Sequence, residues 1–111
     1  MAGTFEVYTD KAGKFRFRLK AGNGQVVAVG EAYESLSGAK EGCGAVQRAA
    51  AGAGKFEVYE DKAGKFRFRL KAGNGQEVAS GEAYEAQSGA KEGCEAVKRA
   101  AEGAKIVEAD K

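Results

Sequence analysis

Residues 5–52 and 56–103 are one sequence written twice. At a shift of 51 the two stretches agree at 40 of 48 positions, differing only at Thr9/Glu60, Val26/Glu77, Val29/Ser80, Ser35/Ala86, Leu36/Gln87, Gly44/Glu95, Gln47/Lys98 and Ala51/Glu102. Repeats of about 50 residues also build propellers and solenoids, but those arrays generally need at least about three copies before their apolar faces are covered. One unit of this size is marginal for burying a core of its own, so two units sharing one core is the physically favoured outcome. The 111 residues are therefore expected to form one domain of two repeats, about 4–54 and 55–111, closed as an intramolecular pseudo-dimer and monomeric.

Within each repeat the hydrophobic period is first two and then about 3.6. Lys14-Phe15-Arg16-Phe17-Arg18-Leu19-Lys20 alternates without a fault, which puts Phe15, Phe17 and Leu19 on one face of a strand and the four cations on the other. A shorter strand, Phe5 to Tyr8, precedes it across the loop Thr9 to Gly13. The Asn23-Gly24 pair follows it, favouring a type I′ turn into a third strand, Val26 to Val29. From Ser37, the expected N-cap, the segment 38–51 places Ala39, Cys43, Val46 and Ala50 on one helical stripe, and Gly52 is placed to end it. The second copy predicts a helix over 89–102, and the tail Lys105 to Ala109 reads as one more short strand. The strand opening at Lys55 takes that place in the first copy, so one segment is expected to close repeat one and open repeat two. The predicted core is Phe5, Val7, Phe15, Phe17, Leu19, Val27, Cys43 and Val46 with their equivalents 51 residues on.

Composition excludes more chemistry than it supports. With no His there is no Ser/His/Asp triad, no Cys/His dyad, and neither zinc nor heme held by imidazole. No cofactor or metal is expected, and the absence of a named nucleophile or base argues against an enzyme. Neither Gly22-Asn23-Gly24 nor Gly42-Cys43-Gly44 extends to a nucleotide-binding fingerprint. At 43% hydrophobic and 31% charged residues the chain is globular in profile. The longest apolar run is Val26 to Val29, far short of a membrane span, and the start lacks a signal pattern, so a cytoplasmic location is expected, with Cys43 and Cys94 as buried thiols.

The run F-E-V-Y-x-D-K-A-G-K-F-R-F-R-L-K-A-G-N-G-Q, followed by G-E-A-Y and S-G-A-K-E-G-C-x-A-V, resembles the YegP-like family, the DUF1508 or UPF0339 domains of bacteria. The resemblance covers both repeats. It implies an α+β fold of tandem β-β-β-α(-β) units forming one mostly antiparallel sheet about a pseudo-twofold, with two helices on one face and C-terminal strands exchanged between repeats. It implies nothing about activity, and no functional residue is carried over from it.

The strongest candidate site is the outward strand face. Lys14, Arg16, Arg18 and Lys20 with Lys65, Arg67, Arg69 and Lys71 stand there beside Glu6, Glu57, Glu77, Tyr8 and Tyr59, an excess of +5 on one face while the remaining residues sum to −3. Such a face suits a polyanion or single-stranded nucleic acid, with cations tracking phosphates and the tyrosines offering stacking surfaces. The reading preferred to it is a solvated sheet face whose long side chains cover apolar surface and pair across strands. Ser37 and Lys40, with Ser88 and Lys91, mark a possible anion site at each helix N-terminus, beside the alternative of ordinary caps. The repeated loops carrying Glu31 and Tyr33, and Glu82 and Tyr84, could line a small groove. The chain is thus expected to be a non-enzymatic binding or interaction module; the alternative is a structural or stress-associated protein with no ligand.

Overall fold

The computed structural model describes residues 3–108. In chain order they form β1 (Thr4–Thr9), β2 (Phe15–Lys20), β3 (Val26–Val29), α1 (Leu36–Arg48), a π-helical turn (Ala49–Ala53), β4 (Lys55–Glu60), β5 (Phe66–Lys71), β6 (Glu77–Ser80), α2 (Gln87–Ala101) and β7 (Lys105–Glu108). All seven strands join one sheet in the order β4-β5-β6-β3-β2-β1-β7. Every pairing is antiparallel except that of β7, which runs parallel to β1. This is the expected α+β architecture. At the centre of the sheet the halves meet between β3 and β6 through one residue pair, Val29 and Ser80; β7 of the second repeat also pairs with β1 of the first, and α2 spans the central seam by reaching β2 and β3 as well as β5.

The alternation in β2 works as the sequence requires. Phe17 and Leu19 are buried toward the helices, as are Phe68 and Leu70 in β5, while the intervening arginines face away. Phe17 packs edge-on against Phe5, with ring centroids 5.9 Å apart, and stacks on Tyr33 at 6.1 Å. Two glycines make room for it: a Cβ on Gly30 would enter the Phe17 ring, and one on Gly42 would overlap the Tyr33 hydroxyl. The helices contribute small residues here, Ala39, Gly42, Cys43 and Val46 from α1 and Ala90, Gly93, Cys94 and Val97 from α2, so their backbones lie close over the phenylalanines.

Several expectations are corrected. The helices start two residues early, at Leu36 and Gln87, because Ser35 and not Ser37 is the cap: its backbone is extended and its hydroxyl accepts from Gly38 N at 3.0 Å. Ser37 already lies in the first turn. In α2 the cap position is Ala86, with no side-chain cap, and Ser88 likewise lies inside the helix. The Asn-Gly loop is closed by a bond from Gly24 N to Ala21 O, one residue earlier than a type I′ turn at Asn23-Gly24 would place it, and Gly24 takes a φ of 88°. Phe15 and Phe66 are half-buried, since they open their strands and bridge to the loop residues Tyr33 and Tyr84. Phe56 and Val58 are also half-buried, although Phe5 and Val7 are 0% and 2% exposed. The reason is topological: β1 lies between β2 and β7, while β4 is an outer edge.

The close seat of the tyrosines sets a test. Gly42→Ala and Gly93→Ala are each expected to destabilise by about 1–3 kcal/mol, overpacking outweighing the ~1 kcal/mol by which alanine favours a helix. Gly44→Ala, whose Cβ would meet only Arg48 Nη1 at 3.3 Å, is expected to be neutral or stabilising. Urea denaturation of the three variants checks this; equal effects at Gly42 and Gly44 would contradict it.

Candidate functional site

Because both helices cover the phenylalanine face, the other face of the sheet is open, and the eight cations named from the sequence all lie there. Each has an acidic partner. Arg18 Nε donates to Glu6 Oε1 at 2.6 Å and Lys20 lies 3.3 Å from the same carboxylate; Arg69 and Lys71 share Glu57 at 3.0 and 3.3 Å. Arg16 and Arg67 are held by Asp10 and Asp61 at 2.8 and 2.7 Å, and Lys14 and Lys65 pair with Glu34 and Glu85. The guanidinium of Arg18 also stacks over Tyr8, 4.4 Å from the ring centroid, and that of Arg69 over Tyr59 at 4.3 Å. The result is a Tyr–Arg–Glu ladder built twice.

Asp10, Asp61, Glu34 and Glu85 are the residues that strand periodicity does not reveal, because they belong to loops. Asp10 serves two purposes: Oδ1 accepts from Ala12 N and Lys14 N at 2.9 Å, fixing the β1–β2 turn, while Oδ2 receives Arg16. The signal was present in the Asp-Lys-Ala-Gly-Lys spacing, where an Asx turn aims the second carboxylate oxygen back along the strand. Eight cations therefore meet six carboxylates, an excess of +2 among these paired groups; the +5 read from the strand residues also counted Glu77, which enters none of these pairs. The half-exposed Arg16 side chain, at 42%, confirms the outward orientation without leaving a free guanidinium.

Electrostatics follow from this pairing. Donation from Arg18, then Lys20, holds the Glu6 carboxyl below its ordinary range against the opposing effect of burial, and Lys71 and Arg69 do the same for Glu57. Asp10 and Asp61 are lowered chiefly by Arg16 and Arg67, then by backbone donors of their turns, and the two arginines are raised in return.

The remaining candidates fare differently. Lys40 Nζ lies 3.0 Å from Glu108 of β7, so in repeat one the lysine of the expected helix N-terminal anion site is already engaged. Lys91 has no ion-pair partner among the described residues. The Glu31–Tyr33 loop and α1 do flank a shallow groove of about 730 Å³, and the Glu82–Tyr84 loop and α2 one of about 720 Å³. Both tyrosine hydroxyls lie over helix glycines, and burial raises their pKa. Cys43 and Cys94 are free and buried, the first pushed up to about 12 by desolvation and the second also raised. No group of three or more Cys, Asp or Glu able to hold a metal ion occurs among the described residues. Among them, too, no helix is long and apolar enough to cross a membrane.

The tandem architecture agrees with what known proteins show. The model of the family described as a domain of unknown function, DUF1508, matches residues 10–57 and again 61–108, and this chain belongs to that family. It is 45% identical over 108 residues to the UPF0339 protein in the ptx operon 5′ region of Stutzerimonas stutzeri, covering 97% of each chain. The UPF0339 protein of Treponema denticola, 60% identical over 58 residues, matches over its whole length and 52% of this chain. Among solved structures, the solution structure of YegP from E. coli superimposes with a TM-score of 0.86 at 32% identity, covering 100% of this chain and 97% of that one. The UPF0339 protein of Shewanella oneidensis gives 0.87 at 30% identity, covering 97% and 92%.

The ion pairs make stability depend on pH in a defined sense. Carboxyls lowered by folding contribute stability that is complete above their ordinary values of 3.8 and 4.5 and is lost as pH falls through the lower folded values. Stability is therefore expected to be flat from neutrality to about pH 5 and to decline below it. The decline should be shallower in the double variant Asp10→Asn/Asp61→Asn. Thermal unfolding against pH reads this; an unchanged slope in the double variant would contradict it.

Proposed function

We propose that this chain is a non-enzymatic binding module whose contact surface is the open face of the sheet. One observation carries the reading: the Tyr8–Arg18–Glu6 arrangement recurs as Tyr59–Arg69–Glu57 on a face that neither helix covers. Guanidiniums held by both a ring and a carboxylate lose little side-chain freedom on contact, which favours a defined protein or small polar surface as partner. Photo-crosslinkers at Tyr8 or Tyr59 are expected to give discrete adducts in cells, and one at Glu95 on the exposed side of α2 is not. Equal adduct yields from both sides, or robust turnover in hydrolase and redox screens, would overturn the reading.

A second reading, a polyanion or single-stranded nucleic-acid platform, is favoured by the residual +2 and by the half-exposed guanidiniums of Arg16 and Arg67. Since each cation already has a carboxylate, a strand must compete for it. Free contact by four to six cations would give a log affinity against log salt slope of about −3 to −4, whereas the residual charge alone supports only about −1.4. Fluorescence anisotropy with single-stranded DNA is expected to show the shallow slope and weak binding. A steep slope abolished by Arg16→Glu/Arg67→Glu would establish the platform instead.

A further inference from the structure

The two edges of the sheet are built alike and finished differently. β1 and β4 share Phe-Glu-Val-Tyr, yet β7 covers β1 and no described strand lies beyond β4. On β1 the pairs are Thr4 with Lys105, Phe5 with Ile106, Glu6 with Val107 and Val7 with Glu108. β7 also has an anchor outside the ladder: Lys40, on α1, reaches across β1 to Glu108 at 3.0 Å. The counterpart of Lys40 is Lys91, on α2, which packs over β4 and β5 as α1 packs over β1 and β2. Lys91 is exposed and has no ion-pair partner among the described residues, where no strand lies beyond β4 to carry its acid as β7 carries Glu108. At the same edge Phe56 and Val58 are only half-buried, and the Glu57 side chain is 40% exposed against 19% for Glu6.

We propose that the outer edge of β4 docks an extended segment of a partner protein, running parallel to β4 as β7 runs along β1, with the pattern acidic, β-branched, any residue, acidic. Main-chain bonds to the edge supply affinity and alternate side chains supply selection. The second residue covers Phe56, as Ile106 lies beside Phe5. The fourth, on the same face, meets Lys91, as Glu108 meets Lys40. The first is acidic because β4 presents Lys55 where β1 presents Thr4, so a lysine at this position faces a like charge. That substitution also disfavours the Lys-Ile-Val-Glu of a second copy of this chain and suits an edge protected against self-association. The edge adjoins the open face at Glu57 and Tyr59, but its test is read at Lys91, on the helix side of the sheet.

The probe is a short fluorescein-labelled peptide with Glu-Ile-Val-Glu at its centre, titrated into the full chain by anisotropy and mapped by amide shifts. Saturable binding is expected, with shifts at β4 and α2. Lys91→Glu should weaken it about three- to tenfold while Lys91→Arg retains it, and Arg16→Glu/Arg67→Glu should leave it unchanged. The Lys-Ile-Val-Glu peptide should bind more weakly to the native chain and recover when Lys55→Thr makes the edge resemble β1. No binding, shifts confined to other surfaces, indifference to Lys91, or self-association through β4 in sedimentation would each overturn the proposal. If the crosslinker at Tyr8, on β1 and far from this edge, gives no adduct while this peptide binds, the binding-face reading falls and the edge stands.

Discussion

Covalent linkage of the two repeats is the constraint on which the rest of the structure depends. Each helix leaves the centre of the sheet and delivers the chain to the far edge, α1 to β4 and α2 to β7. The segment after α2 lies against β1. The segment after α1 must instead open the second repeat, so β4 pairs with β5 as β1 pairs with β2, and no described strand remains to lie outside it. Near-identical sequence therefore ends in unequal surroundings. Phe5 and Phe56 differ in burial because of connectivity, with no difference in side chain or local propensity to account for it.

Packing inside each half follows from one geometric demand, that a phenylalanine from the central strand sit directly under a helix backbone. Phe17 and Phe68 satisfy it through glycine and alanine on the helix and a flanking tyrosine that closes the side. Gln47, one of the eight positions that differ between repeats, donates to Ala101 O and Ala104 O, tying α1 to the segment that leads into β7. Its counterpart Lys98 instead lies 5.8 Å over Phe56, a partial cover for the strand that lacks a neighbour. This departure from the repeat thus falls where the two halves have different surroundings.

What was legible in the sequence was whatever depends on neighbours along the chain. The Phe/Arg alternation of β2 and β5 named both faces, and the apolar stripes of α1 and α2 named the residues that meet the core. What was not legible depends on where a loop or strand lands. Ser37 looked like the cap, but a cap is defined by extended backbone, and that belongs to Ser35. The strand face read as an excess of +5 because Asp10, Glu34 and their equivalents sit in loops whose reach the period-two pattern does not encode. Phe56 and Val58 read as core because the same letters are core in β1.

Native-state hydrogen exchange, read amide by amide along β1 and β4, tests the broken symmetry most directly. Each strand alternates amides between its two sides, and on β1 both sides are bonded, inward to β2 and outward to β7. The account predicts protection at consecutive residues along Phe5 to Val7, and an alternating pattern along Phe56 to Val58 in which outward amides exchange about a hundredfold or more faster than inward ones. Uniform protection along both strands would contradict it, since the outer edge of β4 would then already be covered.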